Sequence, residues 1–183
     1  MEIPMDLMHI IKERRSVRNF TEQEIPEALL GLLLEAVRWS PSWANTQCWE
    51  VIAVKETEIK EKLQTTIVPK NPATKAILAA PVLLAFCGKK KSSGYYNQVA
   101  ATKFGDWMMF DLGIAVQSLC LTAHAHGLGS VIVGLFDHDA AGKILQVPDG
   151  YETVVLVPLG YPNKIPSAPK RKEITEFTHH ELF

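Results

Sequence analysis

The chain has little material for covalent or metal stapling. Of its 183 residues only three are cysteine, Cys48, Cys87 and Cys120. They are odd in number, lie far apart and form no Cys-x-x-Cys pair, which excludes a disulfide scaffold and fits a reducing compartment where each thiol packs as a small apolar group. Surplus charge is also missing. Nineteen Lys and Arg against 20 Asp and Glu leave a net charge of −1, so a global electrostatic grip on nucleic acid or on an anionic membrane is not expected. Residues 1–15 contain no apolar run of signal length, and Gly, Asp or Pro interrupts the longest apolar stretches before they reach a membrane span. The expectation is a cytoplasmic protein. No repeat and no low-complexity segment is visible. The composition that remains is ordinary for a globular protein, 47% hydrophobic and 21% charged. A chain of this length reads as a single domain over 1–183, able to bury about 70% of its unfolded surface and to support a core unaided.

Periodicity predicts a helix over 5–14, an extended stretch over 16–20 and a second helix over 26–38. In the second, Leu29, Leu32, Leu33, Ala36 and Val37 give the stripe and Pro26 suits the first turn. Pro41 disfavours helical geometry at Ser40 and starts a loop. Strands are expected over 49–54, 82–87, 131–133 and 154–159, and helices over 56–64, 73–80 and 138–145. The run 82–87 is apolar without alternation, the mark of a strand buried on both faces. Residues 89–96 read as a polar connection. The longest helical candidate, 102–126, is apolar nearly all round, which suggests burial by its own core and by a partner subunit. After Gly160 the chain is polar and proline-rich yet ends with Ile174, Phe177, Leu182 and Phe183, so residues 162–183 read as an arm that docks elsewhere. Strands and helices intermix, giving an α+β or α/β class.

Two basic knots stand out in a neutral chain: Arg14-Arg15-Ser16-Val17-Arg18 and Lys170-Arg171-Lys172. Guanidinium groups bind phosphate in a planar, bidentate way and a serine hydroxyl complements them, whereas a bland reading leaves both as solvated surface charge. The loop from Ser40 to Gln47 is dense in short polar side chains that either read a ligand's heteroatoms or only satisfy local backbone. Metal chemistry finds no donor set. His124 and His126 sit about 200° apart on a helix, His179-His180 lies near the end, and Asp137-His138-Asp139 marks a helix start. No dinucleotide fingerprint is present either. Gly127-Leu128-Gly129 lacks its third glycine, where Ile132 stands, and Gly88-Lys89-Lys90 lacks the rest of a phosphate loop.

Arg14-Arg15-Ser16-x-Arg18-x-Phe20, then Ser40-Pro41-Ser42-x-x-Asn45-x-Gln47-x-Trp49, resembles the FMN-dependent nitroreductase family. Later pieces follow in the family's order: Asp111-x-Gly113-x-Ala115-x-Gln117-Ser118-Leu119, Gly127-Leu128-Gly129, Val133-Gly134-Leu135-Phe136-Asp137, Pro158-Leu159-Gly160-Tyr161-Pro162 and 171–177. The resemblance implies an α+β fold with a mixed sheet flanked by helices, in an intertwined homodimer with exchanged C-terminal arms and FMN at the interface. By matched position, Arg14, Arg15 and Ser16 hold the phosphate and ribityl end, and Arg18 lies beside N1 and O2 of the ring. Pro41, Ser42, Trp43 and Asn45, with Gln47 next to them, approach from the other subunit. Gly134 and Leu135 bring backbone to N5, and Arg171, with Lys170 near it, closes on the phosphate. The implied activity is ping-pong hydride transfer from NADH or NADPH to a nitroaromatic, quinone or similar flat electron acceptor, with no side-chain acid, base or nucleophile. The alternatives are a flavin-binding protein without turnover, or a reductive dehalogenase or dehydrogenase on the same scaffold. Two positions depart from the pattern: Cys48 stands where the family carries proline, and Pro169 where it carries a basic residue.

Overall fold

The structure, a computed structural model, describes residues 6–183. Met5, the first residue of the expected opening helix, lies outside the described residues. The elements in chain order are α1 (Leu7–Glu13), α2 (Glu27–Arg38), β1 (Trp49–Val54), α3 (Thr57–Thr65), α4 (Thr74–Ala79), β2 (Val82–Lys89), β3 (Tyr95–Tyr96), β4 (Val99–Ala100), α5 (Met108–Ala125), β5 (Gly129–Ser130), α6 (His138–Ile144) and β6 (Tyr151–Gly160).

The apolar run of β2 organises the molecule. It pairs antiparallel with β1 on one side and β6 on the other, and β6 pairs antiparallel with β5, giving the order β1-β2-β6-β5. The parallel contribution to this α+β sheet is a single bridge between Ser16 and Ser130. Side chains alternate across a strand, so β2 feeds two cores. Val82, Leu84 and Phe86 pack with Leu30, Leu33, Leu112, Leu119 and Val157 under α2 and α5. Leu83 and Ala85 pack with Leu63, Ile77, Phe136 and Leu156 under α3, α4 and α6.

Several sequence expectations shift. In α2 the buried stripe is Leu30, Leu33 and Val37, while Leu32 is exposed; the apolar residues on this helix outnumber those its core face can take. The long helix begins at Met108 rather than near 102. Asp106 accepts the Met108 N–H at 2.9 Å and the Lys91 N–H at 2.6 Å, and the left-handed Gly105 ends the preceding turn. The polar connection expected over 89–96 starts inside β2, which runs to Lys89, and ends inside a hairpin, β3–β4, that continues to Ala100 and turns at Asn97 and Gln98 in left-handed geometry; without glycine there, the usual hairpin signature is missing. The strand expected at 131–133 is displaced: β5 covers Gly129–Ser130, just before it, and within 131–133 the pairing is a Val133–Leu156 bridge. Among the described residues, α5 is the one helix long and apolar enough to cross a membrane. It passes on length and composition alone: Asp111 and Gly113 interrupt its apolar run, as expected, and it packs against α2, β2 and β5.

Candidate functional site

Three separate segments carry the residues singled out in the sequence. The first leaves the end of α1. Arg14 turns the chain into extended geometry, and Val17 N–H then donates to Ser130 O at 2.9 Å. Gly129 is required at this crossing, since an added Cβ would sit 2.7 Å from Val17 Cβ. The knot is thereby pinned to β5 with its guanidinium groups half-buried. Arg15 donates to Lys12 O and, at 2.9 Å, to Arg14 O. Arg18 Nη1 donates to Ser16 O at 3.2 Å, but its Nε is buried with no partner among the described residues. Arg14, Arg15, His124, Gly129 and Ser130 line a cavity of about 90 Å³. Burial first, and then the charge of Arg14, pushes His124 below the usual histidine range.

The second segment is the loop after α2. Ser40 Oγ donates to Ala36 O and to Ser118 Oγ at 2.8 Å, tying the loop to α5. Ala44, Asn45 and Gln47 all have positive φ, of 44°, 55° and 46°, a region that non-glycine residues rarely adopt. Gln47 N–H donates to Ser42 Oγ at 2.9 Å. Trp43 N–H donates to Asp111 on α5 at 3.1 Å, and the Trp43 ring packs on Trp107 with centroids 5.2 Å apart. Trp43 Nε1 and Thr46 Oγ1 are buried without partners among the described residues.

The third segment is Gly134–Leu135. Val133 exchanges backbone hydrogen bonds with Leu156 at 2.8 and 2.9 Å. The His138 ring then lies 3.2 Å from Gly134 O and 2.9 Å from Thr153 O. Asn71 Nδ2 donates to Leu135 O at 3.4 Å. Both residues are exposed. A Cβ on Gly134 would meet only Val155 Cγ1, at an ordinary 3.8 Å. The chain's own packing therefore leaves room for a side chain there, unlike at Gly129.

Within one chain the loop 41–47 shares no hydrogen bond or ion pair with the basic knot, among the described residues. Lys170 and Arg171 do not reach it either: every residue from 163 to 183 is exposed. Sequence reasoning gave no role to Asp111, although it was quoted in a motif. The signal was there, as one carboxylate in the most apolar helix of the chain. Ser93 and Asn71 had no comparable signal, since short polar residues in loops are common.

The model of the Nitroreductase family matches residues 11–76 and 68–161, and the chain belongs to that family. A Methanothermobacter thermautotrophicus relative whose name pairs NADH dehydrogenase with NAD(P)H nitroreductase is 29% identical over 169 residues, covering 88% of this chain and 80% of the relative. The crystal structure of a nitroreductase family protein from Clostridium difficile superposes with a TM-score of 0.82 at 25% identity, covering 98% of this chain and 100% of that one. An iodotyrosine deiodinase solved with FMN and 3-iodo-L-tyrosine shares the fold, with a TM-score of 0.81 at 21% identity, covering 97% of this chain and 100% of that one.

Proposed function

We propose that the chain is an FMN-dependent NAD(P)H oxidoreductase that reduces nitroaromatic, quinone or similar flat acceptors in a ping-pong cycle and works as a homodimer. The observation that carries this reading is the knot itself: two half-buried arginines, with Glu13 beside Arg15, on a small cavity also lined by Val17 and Leu128, followed by Arg18 with a buried Nε that has no partner among the described residues. A buried donor without an acceptor is costly, and a phosphorylated, carbonyl-rich ligand would supply acceptors. The open space at Gly134 fits a ligand rather than the chain's own packing.

FMN, when bound, supplies the hydride-accepting and hydride-donating chemistry. Arg14, Arg15 and Ser16 hold its phosphate and ribityl chain, joined by Arg171 and Lys170 of the arm. Arg18 places positive charge where reduction develops negative charge, in a partly dry site where such donors are worth most. Gly134 lets backbone approach the ring. Pro41, Ser42, Trp43, Asn45 and Gln47 complete the site from the second subunit.

The test is to load purified protein with FMN and add NADH or NADPH without air. Rapid bleaching, followed by recovery of colour with a nitroaromatic or quinone, is the expected result. A chain that binds FMN and stays yellow is a binding module. Recovery with an iodophenol alone would assign it to dehalogenation.

A further inference from the structure

We propose that Asp111 is the positioning residue of the loop 41–47, and that its buried carboxylate holds the loop's strained backbone in the form that meets the flavin. The proposal rests on the proposed function.

Asp111 is 1% exposed. It meets no cation within ion-pair distance, among the described residues. Its donors come instead from two segments distant in sequence, the loop that carries Trp43 and Cys48 and the connection that carries Ser93. Trp43 N–H lies 3.1 and 3.2 Å from its two oxygens, Ser93 Oγ donates to Oδ2 at 2.6 Å, and Cys48 Sγ donates to Oδ2 at 3.6 Å. Its place in the first turn of α5 adds the favourable end of the helix dipole. A buried carboxylate is tolerated only with such a complete donor set.

The loop itself shows what the anchor does. Three of its non-glycine residues hold positive φ, and strained backbone persists only where the surroundings over-determine it. Ser42 Oγ supplies one local tie, and Asp111 supplies the long-range one at the start of the turn. Asn45 N–H and Thr46 N–H also bond back within the loop, to Ser42 O at 3.1 Å and Trp43 O at 2.9 Å, yet Trp43 Nε1 and Thr46 Oγ1 stay buried without partners among the described residues. Cys48 belongs to the same node. Burial and then the Asp111 charge push its thiol up to about 12, so it stays protonated and donates.

The experiment uses full-length protein and FMN, with FMN affinity measured by fluorescence quenching at a temperature where circular dichroism shows every variant folded. Asp111→Asn should weaken FMN binding by about tenfold or more, because a carboxylate that accepts at both oxygens becomes an amide with one acceptor and one donor. It should also change the visible circular dichroism of bound FMN, which a merely structural anchor would leave alone. Cys48→Val should weaken binding by roughly two- to threefold, and Cys48→Ser should restore it by keeping a donor. Asp111→Asn binding FMN within about twofold of the natural protein, whatever its melting temperature, overturns the proposal. Should that variant fail to fold, the double variant Ser93→Ala, Cys48→Val takes its place under the same criterion. A natural protein that does not bind FMN at all overturns the proposed function instead.

Discussion

Two glycines separate packing from ligand space. At Gly129 a methyl group would collide with Val17, so Gly129→Ala should destabilise the protein by about 1–3 kcal/mol, measured by urea unfolding. At Gly134 the same methyl meets only ordinary contact. Gly134→Ala should leave the stability of the FMN-free protein within about 0.5 kcal/mol while weakening FMN binding or slowing flavin reduction. Equal stability losses at both positions would remove the distinction. Arg18→Ala should keep FMN, lower the flavin reduction potential and slow hydride uptake by roughly 10²–10³-fold, the range seen when one such donor is lost. An unchanged potential would take Arg18 out of that role. His124 gives a pH prediction. Its folded-state value is depressed, so below the unfolded value of about 6.5 the unfolded chain binds more protons and stability falls with pH. The melting temperature of the FMN-free protein should therefore drop as pH falls through that range, and His124→Gln should flatten the drop.

Among the elements, α5 joins the core to the site. Leu112, Leu119 and Ala123 are buried against the sheet and α2, while Met109, Gly113 and Gln117, spaced four apart, share an exposed face beside Phe110. Leu119→Ala should cost about 2–5 kcal/mol in urea unfolding, as for other fully buried leucines, and a cost under about 1 kcal/mol would mean that α5 is not the core helix described. The apolar surround of this helix was legible in the sequence because hydrophobic residues exceed what one face can bury. Strand β2 was legible for the same reason: Val82 to Cys87 never alternates. The hairpin β3–β4 was not legible, because Asn97-Gln98 turns without glycine and each strand is two residues long. In the site, the arginines and the loop were legible as motifs in a set order. Asp111's partnership with Trp43 spans 68 residues, and a pairing that distant leaves no local trace in one sequence.

At the scale of the whole molecule, two features stay unexplained by a single chain. The segment 163–183 is exposed throughout and carries Ile165, Ile174, Phe177 and Leu182, each at least 60% exposed. The apolar face of α5 is bare as well. Apolar surface on this scale marks an interaction site, and in the proposed homodimer a second copy whose arm crosses over would account for both features and would bring Lys170 and Arg171 toward the knot. The most direct measurement is sedimentation of the FMN-loaded protein, followed at a flavin wavelength, for the full chain and for a variant ending at Tyr161. The full chain should travel as a two-chain particle carrying two flavins, and the shortened one should lose flavin and dissociate more readily. A full-length chain that sediments alone and takes up no added FMN, or a shortened one that remains a yellow dimer, would contradict the account.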